Sequence, residues 1–117
     1  MHIVHIYVVE PHPEAPDPSP YGGNARPAEH SDGRPMPMTY PERVSYARDT
    51  AALLTGQQLL LVDDLTPGTR DNPLWCSYGT CPNCAFLIAQ DGQLQRVQTW
   101  LNVDEMQAAI DLLLSGP

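Results

Sequence analysis

The chain has 117 residues and a formal charge of −8, from 14 acidic side chains against six arginines and no lysine. That length suits one small domain with a modest core, and the acidic balance argues against a nucleic-acid binder. No stretch approaches the ~20 apolar residues of a membrane-spanning helix, and no signal-peptide core is present.

The first element is a strand. Ile3-Val4-His5-Ile6-Tyr7-Val8-Val9 is a near-continuous β-branched and aromatic run closed by Glu10-Pro11, a pattern suited to a parallel sheet covered on both faces. Nine of the 13 prolines then fall between Pro11 and Pro41. This segment has no apolar period of its own and reads as a long surface loop at 11–41. Thr39-Tyr40-Pro41-Glu42 has the form of a capping box with proline in the first turn. It opens an amphipathic helix with Val44, Ala47, Ala51 and Leu54 inward and Glu42, Arg43, Arg48 and Asp49 between them, ending near Gly56.

Leu59 to Val62 form a second buried strand, ended by Asp63-Asp64, and residues 65–83 an irregular connection with one short helical turn. Ala85 to Ala89 form a third strand, Asp91-Gly92 a hairpin turn, and Leu94, Val97 and Trp100 mark a fourth strand. Asn102 caps a last helix whose Val103, Met106, Ile110 and Leu113 share a face. The alternation predicts an α/β sandwich with a mixed sheet, parallel in its first half and antiparallel at the hairpin.

Chemistry concentrates at two places. Cys76, Cys81 and Cys84 lie together, the last two as Cys81-Pro82-Asn83-Cys84. A Cys-x-x-Cys pair serves as a redox dithiol, as a disulfide or as half of a zinc site, and three free thiols are the inert alternative. Cys84 runs directly into a strand, so the helix N-terminus that activates the usual dithiol is absent. Zinc would take Cys76, Cys81 and Cys84 with a histidine, His12 among the candidates. Three cysteines are also too few for a secreted disulfide scaffold, so a cytoplasmic protein is expected. The second place is Glu10-Pro11-His12-Pro13, at the carboxyl end of the first strand, where open α/β sheets bind ligands. Glu10 and His12 fit a hydrogen-bonded pair or proton shuttle, or simply a stiff turn. Asp63-Asp64 closes the second strand at the same kind of edge, as a turn pair or as oxygen ligands.

These residues resemble the iodothyronine-deiodinase-like branch of the thioredoxin fold. Ile6 to Pro13 looks like that family's strand ending in glutamate and histidine. Arg43 to Leu54 is similar to its arginine-initiated helix, and Leu61-Val62-Asp63-Asp64 to its next strand. Tyr78-Gly79, Pro82, Phe86 to Ile88 and Asp91-Gly92 follow in the family's order. The resemblance covers roughly residues 3–112. It implies a single thioredoxin-like three-layer α/β sandwich with a C-terminal hairpin and helix, truncated at the N-terminus. It makes Glu10 and His12 the polar pair beside the reactive centre, and Pro82 a cis proline facing it with Cys81 alongside. The family's nucleophile lies on a strand–helix unit before the segment that begins this chain. The expectation is a thiol redox protein in which Cys81, with Cys84 or Cys76, is a relocated dithiol aided by His12 and Glu10. The alternatives are a non-enzymatic module with a zinc site on Cys76, Cys81, Cys84 and His12, or a sheet edge covered by a second copy or a partner chain.

Overall fold

A computed structural model describes residues 1–10, 12–14, 16–17, 33–56, 58–65, 72–78 and 83–116. They form a small α/β protein with three helices and two small sheets. The chain divides into two compact units, Met1–Thr80 and Cys81–Pro117.

In the first unit, β1 (Ile3–Tyr7) pairs in parallel with β2 (Gln58–Val62), Ile3 opposite Gln58 and Tyr7 opposite Val62. The Asp63 N–H donates to the Tyr7 carbonyl at 2.8 Å, one step beyond the paired residues. The parallel pairing requires a crossover, and α1 (Tyr40–Ala51) supplies it. α1 starts where the sequence places it. The Thr39 hydroxyl accepts from the Glu42 N–H at 3.4 Å, and the Glu42 carboxylate accepts from the Thr39 N–H at 3.0 Å. Its inward face differs from the expected one. Arg43 and Ala47 are the buried residues, Val44 and Leu54 are half-buried, and Ala51 is exposed. Arg43 is drawn inward because buried partners wait for its charge.

The strand β1 stops at Tyr7, two residues before the end of the apolar run, and Val9 leaves the ladder to join Ala47 and Leu65 in the buried core. Coverage on both faces is not what forms within this unit. Val4 and Ile6 lie opposite Leu59 and Leu61, and all four remain exposed, while His5, Tyr7, Leu60 and Val62 are half-buried. The helix α1 packs against this strand pair, and among the described residues no element covers the face that carries Val4, Ile6, Leu59 and Leu61. Of the proline-rich segment, the described ends meet: the Glu14 N–H donates to the Arg34 carbonyl at 2.6 Å, and the Met36 N–H to the Asp17 carboxylate at 2.9 Å. Arg34 pairs with Asp49 of α1 at 2.8 Å and lies 4.9 Å from the Tyr46 ring centre, which fixes the returning chain on the helix. The short helical turn expected in the connection is α2 (Pro73–Tyr78).

In the second unit, β3 (Ala85–Ile88) pairs antiparallel with β4 (Leu94–Gln98), with a register shift between Leu87 and Ile88. Asp91-Gly92 makes the turn. Gly92 sits at φ +85° and the Asp91 carboxylate accepts from the Gln93 N–H at 3.0 Å. α3 (Val103–Ser115) begins at Asn102, whose side-chain oxygen accepts from the Glu105 N–H at 3.1 Å. Of its expected apolar face, Met106 is buried and Ile110 half-buried, whereas Val103 is 68% exposed and Leu113 is also exposed. The two strand pairs are thus separate two-stranded sheets, one parallel and one antiparallel, where the sequence predicts one mixed sheet.

Candidate functional site

The carboxyl ends of β1 and β2 carry the most enclosed polar cluster among the described residues. Glu10 follows β1, Asp63 and Asp64 follow β2, and Arg43 sits in the first turn of α1. Arg43 is 1% exposed. Its Nε donates to Glu10 Oε1 at 3.4 Å and its Nη2 to Glu10 Oε2 at 3.2 Å, a fork on a carboxylate that is itself 6% exposed. The Nη1 donates to the backbone carbonyls of Asp63 at 3.4 Å and Asp64 at 3.1 Å. The Asp63 side chain, equally buried, turns the other way. Its two oxygens accept from the Leu74 N–H at 3.0 Å and the Trp75 N–H at 3.1 Å, satisfying the first turn of α2. One guanidinium and one carboxylate therefore join both strand ends to α1 and α2.

These contacts exceed the 2.7–2.9 Å of strong charge-assisted bonds, so enclosure and mutual neutralisation matter more here than bond strength. The chemical consequence is that Glu10 is occupied. Its carboxylate holds Arg43, and among the described residues His12 Nδ1 is buried with no hydrogen-bond partner. No shuttle from Glu10 to that nitrogen is assembled. Asp63-Asp64, open from the sequence as oxygen ligands, serves as a helix cap and as carbonyl acceptors for Arg43.

The cysteines differ from one another. Cys76, on α2, is an exposed free thiol, whereas Cys84, half-buried just before β3, is disulfide-bonded. Cys81 and Pro82 lie outside the described residues. Glu10, His12 and Cys76 belong to the first unit and Cys84 to the second. A sulfur in a disulfide has no thiolate to give a metal, and zinc on Cys76, Cys81, Cys84 and His12 needs that thiolate. Among the described residues no group of three or more His, Cys, Asp or Glu side chains is placed to hold a metal ion.

The backbone beside Cys84 is held across the hairpin. Asn83 forms an isolated bridge with Trp100, and its carbonyl accepts from the Leu101 N–H at 2.7 Å. Elsewhere in this unit an open groove of about 440 Å³ lies between the hairpin and α3, lined by Leu87, Arg96, Ala109 and Leu112 among others. Arg96, its cation, is already bound to Glu105 at 2.6 Å.

Sequence reasoning missed Arg43 because pattern reading assigns an arginine to the wet side of a helix. The available signal was its position one turn into a helix that follows Glu10 and precedes two adjacent aspartates.

Comparison with known proteins adds no relative: no family model matches the chain, and neither the curated proteins nor the solved structures contain a match. Among the described residues no helix is long and apolar enough to cross a membrane.

Proposed function

We propose that this protein is a thiol redox protein of thioredoxin-like, three-layer α/β architecture, in which Cys81 and Cys84 form the reactive dithiol. The observation that carries this is the unequal state of the cysteines: Cys84 is in a disulfide and Cys76 is not. In a chain with three cysteines, a Cys-x-x-Cys loop gives Cys84 its nearest partner in sequence. The element order, a parallel β-α-β unit followed by a short helix, an antiparallel hairpin and a final helix, supports the architecture.

The reaction is thiol–disulfide exchange. The thiolate of the reduced pair attacks a substrate disulfide and forms a mixed disulfide while one substrate thiol leaves. The second cysteine then displaces the other substrate sulfur and closes the internal disulfide. Two electrons and two protons pass from dithiol to substrate. We place this chemistry in the cytoplasm, where disulfides are transient and catalytic rather than structural.

Mass mapping after alkylation tests the assignment. Without reductant only Cys76 is expected to be labelled, and after dithiothreitol all three cysteines. Labelling of Cys84 or Cys81 before reduction would overturn it.

A specific observation also favours an interaction role for the first unit. Val4, Ile6, Leu59 and Leu61 form an exposed apolar face on a parallel strand pair, an architecture that ordinarily has both faces covered. We propose that a second copy of the chain covers it. Light scattering is expected to give twice the 12.9 kDa chain mass. A monodisperse monomer at high concentration would overturn the homodimer.

A further inference from the structure

The chain that returns from the proline-rich segment is bound to α1 along a polar stripe of that helix. Glu42, Tyr46 and Asp49 recur at i, i+4 and i+7 and so share one face, while Arg43 and Ala47 are buried on another. The stripe meets residues 34–39 in turn. The Glu42 carboxylate accepts from the Thr39 N–H at 3.0 Å and from the Met38 N–H at 2.8 Å. The Tyr46 hydroxyl donates to the Pro35 carbonyl at 3.3 Å, and its ring centre lies 4.9 Å from the Arg34 guanidinium. Asp49 pairs with Arg34 at 2.8 Å. The segment thus runs back along the helix it is about to enter.

The same segment holds the chain that leaves β1. The Arg34 carbonyl accepts from the Glu14 N–H at 2.6 Å, and the Asp17 carboxylate accepts from the Met36 N–H at 2.9 Å. The chemistry of the attachment is reversible. In Arg34-Pro35-Met36-Pro37 the prolines have a fixed φ, and Arg34 and Met36 are restricted to extended backbone because a proline follows each. A segment stiffened in this way loses little entropy when it docks. Its contacts on α1 are polar, and the Arg34 and Asp49 side chains are 40% and 66% exposed, so salt screens their attraction. Pro37, among the most deeply buried side chains, is the apolar anchor that keeps the docked form in the majority.

We infer that residues 34–37 form a strap, hinged at Met38 where Glu42 retains the chain, that opens and closes on Tyr46 and Asp49 with Arg34 as its salt-sensitive latch. Arg34 suits that part because its carbonyl holds Glu14 while its guanidinium holds Asp49 and covers Tyr46. Release of this one residue therefore frees the segments on both sides of the proline-rich stretch together. The β1–β2 ladder, which makes none of these contacts, stays paired. The device is independent of the cysteines.

Amide hydrogen exchange on the full chain tests the strap. The Glu14 and Met36 amides report its closure, and the Asp63 amide, bonded to the Tyr7 carbonyl at 2.8 Å, reports the sheet. Arg34→Ala is expected to speed exchange at Glu14 and Met36 together, by about tenfold, with Asp63 unchanged. In the wild-type protein, raising sodium chloride from about 0.05 M to about 1 M should speed both by about threefold after correction for intrinsic rates. Asp49→Asn is expected to show the faster rates already at low salt and to lose the salt response. Unchanged rates in Arg34→Ala, separate responses of Glu14 and Met36, or equal acceleration of Asp63 would each overturn the strap. A wild-type salt response in Asp49→Asn would overturn the latch assigned to Arg34.

Discussion

The Arg43 guanidinium and the Glu10 carboxylate, separated by 33 positions in sequence, meet at 3.2 Å with 1% and 6% of their side chains exposed. Neither charge is tolerable alone at that depth, so each accounts for the burial of the other. The pair fastens the segment leaving β1 to the helix that returns the chain to β2, and the Asp63 and Asp64 carbonyls complete the guanidinium's contacts.

Removing one partner should therefore cost more than removing both. Arg43→Ala is expected to destabilise the protein by about 3–5 kcal/mol, because Glu10 is left buried and unpaired. The double variant Glu10→Leu with Arg43→Met should recover most of that loss. Urea denaturation of the three proteins checks this.

Asp63 acts through its carboxylate on two backbone N–H groups of α2. Asp63→Asn keeps the shape but turns an amide N–H toward one of those donors. The expected cost is about 1–3 kcal/mol by urea denaturation, with α2 losing amide protection before β2 does.

The helix starts were legible in the sequence and the buried charges were not, for a physical reason. A capping box is a local pattern: Thr39 and Glu42 lie within one turn and announce themselves, as does Asn102 before Glu105. Asp91-Gly92 is legible in the same way. The inward turn of Arg43 depends on Glu10, which no local window contains, and so Arg43 is assigned to the wet face. The strand runs at Ile3 to Val9 and Leu59 to Val62 identify parallel strands correctly. Their apolarity on both faces suggests double coverage, yet among the described residues α1 is the helix that packs against the pair, and Val4, Ile6, Leu59 and Leu61 stay exposed. The cysteine cluster is visible from spacing, but spacing carries no information on which sulfur is oxidised.

The Thr39–Glu42 capping box gives a pH dependence with a definite sign. The Glu42 carboxylate is held below its ordinary value of 4.5, first by the Met38 N–H and then by the Thr39 hydroxyl. A depressed folded-state pKa contributes stability that is complete above 4.5 and is lost as the pH falls through the folded value. Glu42→Gln should flatten that acid limb by lowering stability at neutral pH, with the variant and the wild type converging below the folded value. Thr39→Ala should cost about 1 kcal/mol at neutral pH. Urea midpoints measured across the acid range check both.

Gly92 lies at φ +85°, and no atom stands within 4 Å of where a Cβ would be. Gly92→Ala is thus a pure test of backbone strain, expected to cost about 1–2 kcal/mol, with Gly92→Asn costing less because asparagine tolerates the left-handed region. Thermal denaturation of the two variants orders them.

The proposed dithiol stands or falls on whether the disulfide at Cys84 is exchangeable or a permanent staple. Equilibration of the protein in glutathione buffers of graded potential, with the fraction of reduced Cys84 read by alkylation and mass, measures this directly. The account predicts a two-electron transition at a potential above about −300 mV, within the range of dithiols that exchange with cellular thiols. A disulfide that stays closed below about −300 mV would be structural, and would contradict a redox function for this chain.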